Sequence, residues 1–139
     1  MNMDRLADAL YRHEAFRQKP YRCSTGKLTI GIGRNLDDKG ISLSEAKFLL
    51  ANDIHETIEW LRKLYWWFDE LDDVRQEVVV NMGFNLGQTR FAGFKRMINA
   101  ISESNFTRAA AEMLDSKWAR QVGHRAQELA RMMASGIVE

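Results

Sequence analysis

The sequence predicts an α+β fold that is mostly helical, with one small β-hairpin near the N-terminus. Apolar residues recur at helical spacing over most of the chain, which favours helices. One stretch, residues 27–33, instead alternates large and small side chains and holds the β-branched Thr29, Ile30 and Ile32, which is typical of a strand. The single proline, Pro20, lies where the first predicted helix has already ended.

Composition limits the classes of protein that the chain can belong to. Its 139 residues suit one domain, and 45% apolar with 28% charged residues is typical of a globular protein. The net charge of +1 gives no general attraction to nucleic acid or to a membrane surface. Cys23 is the only cysteine, so an internal disulfide is excluded. Residues 1–10 lack a signal-peptide pattern, and we expect a protein made in the cytoplasm without a membrane anchor.

The N-terminal elements follow from periodicity and turn residues. Residues 3–13 carry Leu6 and Leu10 at helical spacing, which predicts the first helix. The strand at residues 27–33 is expected to pair with residues 16–22 through the turn Ser24-Thr25-Gly26. This hairpin is the only sheet that the sequence predicts.

The remaining elements are predicted to be helices. After a loop at residues 35–40, Ser42 and Glu45 have the spacing of a capping box, and the helix they open runs to about Leu64, roughly 20 residues or 30 Å. Acidic residues then precede a helix that is apolar nearly all round and ends at Gly87, which predicts a buried central helix. Shorter helices are expected at about 94–103, 106–115 with Asn105 as its cap, 117–121 and 124–134.

These elements predict a single domain of two lobes over residues 1–139. The hairpin lobe covers about 14–60, and the helical lobe covers about 65–139 together with the first helix. The long helix from residue 43 joins the two lobes. We expect a cleft between them, because ligands commonly bind in such clefts.

Three side chains near the hairpin are candidates for chemistry. Glu14 ends the first helix, and Cys23 and Thr29 lie on the two strands, where both can face one side. Gly31 and Gly33 weaken a strand, so they indicate either a bend or the close approach of a ligand. Plainer interpretations exist for all three candidates: a solvent-facing glutamate, a small buried thiol and a strand-forming threonine.

Taken together, the spacing of these residues carries more information than each residue alone. Eight residues separate Glu14 from Cys23, and five separate Cys23 from Thr29, within a Lys-Leu-Thr-Ile-Gly-Ile-Gly string at 27–33. This arrangement resembles the catalytic pattern of phage-type lysozymes, the muramidases of glycoside hydrolase family twenty-four, and looks most like their T-even type. The resemblance spans roughly residues 6–134. Its further segments are residues 81–87, 91–94, 116–118 and 125–126.

The resemblance implies a lysozyme-like fold and a role for each matching residue. Glu14 would donate a proton to the glycosidic oxygen, oriented by Arg125, and we expect partial burial to keep Glu14 protonated near neutral pH. Thr29 would hold a water that attacks the opposite face of the sugar, with inversion. Cys23 stands where the family usually has Asp, and it can act there as base, charge stabiliser or nucleophile.

The family pattern also implies residues that contact the sugar. Asn35, Phe84 and Asn85 are expected to bind substrate, because an aromatic face packs on a sugar ring and amides bond its polar groups. The plainer interpretations of the last two are a core phenylalanine and a helix-face asparagine. A second departure from the family is Arg34, which stands where the nearest relatives have His, and we expect it to pair with Asp53.

The resemblance implies a partner, but no cofactor. The substrate would be bacterial peptidoglycan, cut at the β-1,4 bond between N-acetylmuramic acid and N-acetylglucosamine. The three histidines, His13, His55 and His124, lack metal-ligand spacing, so we expect no metal. We further expect a monomer that stays in the host bacterium's cytoplasm until a separate pore-forming protein, a holin, gives it access to the wall.

Other functions are compatible with parts of this pattern. A non-catalytic wall-binding module would keep the fold without the reaction. An all-helical DNA-binding regulator would use the short C-terminal helices, although the balanced charge and the hairpin do not favour it. The same fold can also act on chitin or chitosan, or release an anhydro-sugar as a transglycosylase.

Overall fold

A computed structural model describes all residues, 1–139, and divides the chain into two compact units, Met1–Leu49 and Leu50–Glu139. The first unit contains two helices, a small sheet and the start of a long helix; the second is entirely helical. This arrangement confirms the predicted α+β, mostly helical fold. The single-domain organisation with lobes at 14–60 and 65–139 stays a prediction.

The first helix, α1, runs from Met3 to Glu14. The side chain of Asn2 caps it by accepting a hydrogen bond from the Arg5 amide at 3.0 Å. Its apolar residues are not covered, since Leu6 and Leu10 are 42% and 44% exposed.

The sheet has three antiparallel strands in the order β1 (Arg17–Arg22), β2 (Leu28–Gly31) and β3 (Arg34–Asn35). Pro20 lies in β1, where the register is irregular. An edge strand tolerates proline because one side of it makes no ladder bonds. The predicted hairpin is confirmed, but the sequence did not predict β3, which pairs Asn35 with Thr29.

Two helices, one short and one long, follow the sheet in sequence. The predicted loop at residues 35–40 is wrong over Leu36–Lys39, which forms the short helix α2. The long helix α3, Leu43–Leu64, begins at the predicted capping box. Glu45 N–H donates to the Ser42 hydroxyl at 3.1 Å, and Ser42 N–H donates to the Glu45 carboxylate at 2.9 Å.

The second unit packs around the central helix α4, Asp73–Leu86, which Asp72 caps and Gly87 ends with φ +80°. A 3-10 turn, Phe68–Glu70, precedes α4. The helices after it are α5 (Gln88–Ala92), α6 (Lys95–Ser102), α7 (Phe106–Leu114), α8 (Lys117–Val122) and α9 (His124–Ser135). All were predicted within a few residues except α5, which was not predicted.

The apolar core lies in the second unit. Its fully buried side chains come from α3, α4, α5, α6, α7 and α9, and include Leu61, Val78, Met82, Phe91, Met97, Met113 and Met133. Gly83 lets α4 pack closely on α3, because a Cβ there would lie 3.0 Å from Cη2 of Trp60. By contrast, Thr29 is the only buried residue of the first unit. None of the helices combines the length and the apolar character needed to cross a membrane.

Candidate active site

The β-hairpin places Cys23 and Thr29 on one face. Tyr21 pairs with Thr29, and the Cys23 amide extends the ladder by donating to the Lys27 carbonyl at 3.0 Å. Side chains alternate along a strand, so Cys23 shares the side of Tyr21 and therefore of Thr29. Thr29 is 4% exposed, and its hydroxyl donates to the Lys27 carbonyl at 2.9 Å, which fixes the hydroxyl rotamer.

Hydrogen bonds around the turn stabilise the anionic form of Cys23. The sulfur lies 3.1 Å from the Thr25 hydroxyl. That hydroxyl, followed by the backbone amides of Thr25 and Lys27 and by Thr29, lowers the pKa of the Cys23 thiol to about 7, against a smaller opposing effect of burial. Cys23 therefore ionises more readily than an unperturbed cysteine.

Glu14 ends α1 and lies against the turn after β2. The next residue, Ala15, has φ +60° and ψ +159°, a conformation that residues with a Cβ rarely adopt. The Glu14 carboxylate packs on Gly33, where a Cβ would lie 3.0 Å from Oε2. Gly31 and Gly33 have positive φ, +71° and +75°, so the bend accounts for both glycines, which the sequence left open between a bend and a ligand. Glu14 itself is exposed, so the expected partial burial is not found.

Arg34 pairs with Glu45, and the expected pair with Asp53 is wrong. Arg34 Nη1 donates to Glu45 Oε1 at 2.8 Å, and Nη2 donates to Oε2. Glu45 is already fixed by the capping box of α3, so it offers Arg34 a pre-oriented bidentate partner. The Arg34 guanidinium is the first cause that lowers the pKa of Glu45 to about 2, and the Ser42 amide is the next.

Asn35 is the N-cap of α2. Its Oδ1 accepts a hydrogen bond from the Asp38 amide, and its Nδ2 donates to the Asp38 carboxylate, both at 2.9 Å. Asn residues commonly cap helices in this way. Contact between Asn35 and substrate stays a prediction.

Phe84 and Asn85 lie on α4 in the second unit. Phe84 is 42% exposed, so it is not a core phenylalanine. It lines an open cavity of about 600 Å³ together with Ile54, Val80 and Arg125. Asn85 is also exposed, and its Oδ1 accepts a hydrogen bond from the Trp118 indole at 2.6 Å, which leaves the amide nitrogen available to a ligand.

Arg125 is held by a residue that the sequence analysis missed. Its Nε and Nη2 donate to the Asn81 Oδ1 at 3.0 and 2.7 Å, and Nη2 also reaches the Asn81 carbonyl. A polar asparagine within the apolar stretch 78–86 was the available signal, but it lies 44 positions before Arg125 in the sequence. The pairing of Arg125 with Glu14 stays a prediction.

The structure holds no cluster of three His, Cys, Asp or Glu side chains that could bind a metal ion.

Comparison of the sequence with known proteins relates the chain to one protein family. The family model described as phage lysozyme matches residues 11–134. The chain is 26% identical, over an alignment of 162 residues, to "Probable T4-type lysozyme 1" of Dictyostelium discoideum, covering 96% of this chain and 95% of that protein. It is 25% identical over 163 residues to "Probable T4-type lysozyme 2" of the same organism, covering 96% of each.

Proposed function

Because this chain belongs to the phage lysozyme family and is thus a lysozyme-like glycosidase, we propose that it hydrolyses bacterial peptidoglycan. The bond cut is the β-1,4 linkage between N-acetylmuramic acid and N-acetylglucosamine. The observation that carries this proposal is the hairpin, which presents the Cys23 thiolate and the Thr29 hydroxyl on one face. The Glu14 carboxyl packs against Gly33, in the turn that follows the same strand.

These side chains supply what glycosidic cleavage needs. The leaving oxygen requires a proton, and the oxocarbenium-like centre requires a nucleophile and nearby negative charge. Glu14 donates its proton to the leaving oxygen as the bond to the anomeric carbon breaks. A water that Thr29 orients forms the new bond to that carbon. The proton lost by this water goes to the Cys23 thiolate or to solvent, and exchange with solvent restores both groups.

The exposure of Glu14 in the free protein is compatible with an acid role. A bound glycan can cover the carboxyl group and exclude water from the proton transfer. Cys23 is the group whose anionic form is favoured, because hydrogen bonds stabilise the thiolate against the opposing effect of burial. Glu14 therefore has the role of proton donor and Cys23 that of the anion, and the reaction requires both.

Substrate contacts are assigned to the second unit and to Asn35. The exposed ring of Phe84 offers a face for a sugar ring, and the free amide nitrogen of Asn85 offers a donor. Arg125, oriented by Asn81, lines the same cavity as Phe84 and supplies a cation there.

The proposed setting is lysis of a bacterial cell. The enzyme acts as a monomeric endolysin from within the host bacterium and reaches the wall when a holin opens the inner membrane. Co-expression with a holin should lyse the host, whereas the enzyme alone should leave intact cells unlysed. Lysis by the enzyme alone would contradict the dependence on a holin.

The test of the reaction is hydrolysis of purified bacterial walls by the wild-type chain and by Glu14→Gln. We expect Glu14→Gln to lower the rate of turbidity loss at least about 100-fold, because it removes the proton donor and keeps the shape of the side chain. Glu59→Gln is the matched control, since Glu59 is an exposed glutamate of α3. Mass spectrometry of the released fragments should show reducing-end N-acetylmuramic acid.

Three outcomes would contradict the proposal. Full activity of Glu14→Gln would reject Glu14 as the acid. Anhydro-sugar ends would show a transglycosylase. Binding of walls by the wild-type chain without release of fragments would show a non-catalytic module.

A further inference from the structure

The turn between β1 and β2 brings Thr25 back onto Cys23. The Gly26 amide donates to the Cys23 carbonyl at 2.8 Å, and Gly26 has φ +80°, which closes a tight turn over Ser24 and Thr25. This turn brings the Thr25 hydroxyl to 3.1 Å from the Cys23 sulfur. The Thr25 residue is exposed, so no packing requirement accounts for this hydroxyl.

The cations beside the turn are already paired with carboxylates. Arg22 Nη1 lies 3.4 Å from the Asp37 carboxylate and donates to the Gly26 carbonyl at 3.2 Å. Lys27 Nζ lies 3.1 Å from the Asp38 carboxylate. Both acids belong to α2, which packs on β2, so the charges facing the turn are largely balanced. A free cation, the usual way to stabilise a thiolate, is therefore not what acts on Cys23.

Hydrogen bonding takes the place of that cation. A hydroxyl that donates to a thiolate stabilises the anion and fixes the rotamer of the sulfur. The Thr25 hydroxyl has this geometry, and it is the largest of the effects that lower the pKa of Cys23.

We infer that Thr25 is a positioning residue for the reaction, whose hydroxyl donates to the Cys23 sulfur and holds it as an anion beside Thr29. This inference rests on the proposed function, because it assigns Thr25 a role through Cys23 and not through contact with substrate. The hydroxyl proton stays on Thr25 throughout, and no covalent step is involved.

The experiment compares Thr25→Val with Thr25→Ser and with Ser24→Ala. Valine keeps the shape and removes the hydroxyl; serine keeps the hydroxyl; Ser24→Ala alters the same turn without touching the contact. The first readout is the pH dependence of Cys23 alkylation by iodoacetamide, which reports the thiolate fraction. We expect a midpoint near pH 7 for the wild-type chain, Thr25→Ser and Ser24→Ala, and a midpoint about one pH unit higher for Thr25→Val, since the backbone amides and Thr29 still stabilise the anion in that variant.

The second readout is wall hydrolysis as a function of pH. At pH 7, Thr25→Val should be slower by about 5-fold, the ratio of the two thiolate fractions, and its pH profile should move to higher pH. A purely structural role of Thr25 would change the rate without moving the pH midpoint. An alkylation midpoint unchanged in Thr25→Val would overturn the inference, as would a shifted midpoint with an unchanged pH profile of hydrolysis.

The two readouts separate failure of this inference from failure of the proposed function. If the wild-type chain releases no fragments from walls, the proposed function fails, while alkylation still reports whether Thr25 controls the thiol. If fragments are released but Thr25→Val titrates like the wild-type chain, only the role of Thr25 fails.

Discussion

Two glycines near the end of β2 differ in a single contact. Gly31 and Gly33 have φ of +71° and +75°, so a side chain at either position is strained by about 1–2 kcal/mol. A Cβ at Gly31 meets nothing within 4 Å, whereas one at Gly33 meets the Glu14 carboxylate at 3.0 Å. The carboxylate is the free end of a flexible side chain, so it can swing away at little cost in stability.

Gly33→Ala is therefore expected to affect activity more than stability, with Gly31→Ala as the matched control. The two variants should show similar decreases in Tm, because both carry the same backbone strain. Wall hydrolysis should fall at least about 10-fold further in Gly33→Ala, since only this change displaces the proposed proton donor. Equal rates in the two variants would show that the contact of Glu14 with Gly33 does not position the acid.

At the level of single residues, local pattern predicted neighbours along the chain but not partners distant in sequence. The alternation of a strand was enough to place Cys23 and Thr29 on one face. The partner of Arg34 was predicted wrongly, because sequence cannot show that the capping box orients Glu45 toward it. The bond between Asn81 and Arg125 depends on the packing of α4 against α9, which no local pattern describes.

Among the helices, α3 and α4 are held together at a glycine. The contact leaves no room for a methyl group, since a Cβ at Gly83 would lie 3.0 Å from Cη2 and 3.2 Å from Cζ2 of Trp60. The Trp60 ring also packs edge-on against Phe91, with the ring centroids 5.6 Å apart, so it has little freedom to move. Alanine at position 83 must therefore push one helix away from the other.

We expect Gly83→Ala to lower the free energy of unfolding by about 1–2 kcal/mol. Overpacking typically costs about 1–3 kcal/mol, and the better helix propensity of alanine offsets up to about 1 kcal/mol of this. In a Trp60→Leu background the same change should cost nothing or should stabilise, because the ring is gone. Urea denaturation of the four proteins gives the coupling energy; additive effects would contradict a direct clash.

Element prediction succeeded where a helix is long or its end is chemically marked. The capping box of α3, the cap Asn105 of α7 and Gly87 after α4 each correspond to an observed helix end. The missed elements are β3, α2 and α5, which have two, four and five residues. Segments so short do not complete enough turns or alternations to show a period, so the structure around them determines their conformation.

Over the whole molecule, ion-paired carboxylates make stability depend on pH. Arg34 lowers the pKa of Glu45 to about 2, Lys27 lowers that of Asp38, and Arg131 lowers that of Glu139. Each folded-state pKa lies below the unfolded value. The stabilisation is therefore complete above the unfolded pKa and is lost as the pH falls through the folded pKa.

Thermal unfolding should show this dependence as a Tm that decreases from about pH 4.5 toward pH 2. Glu45→Gln should lower the Tm at pH 7 and make the decrease with acid shallower, because it removes the carboxylate whose pKa is lowered furthest among these. The exposed Glu59→Gln should leave the slope unchanged. A slope in Glu45→Gln equal to that of the wild-type chain would contradict the assignment.

The first 49 residues contain a single buried side chain, Thr29, whereas the second unit holds the entire apolar core. The free energy of unfolding comes largely from such a core. The free energy of local unfolding is therefore expected to be lower in the first unit than in the second. The ribbon that carries Cys23 is maintained by backbone ladders, capping groups and ion pairs. We therefore expect brief, sub-global openings to expose its amides to solvent without melting the helices that follow.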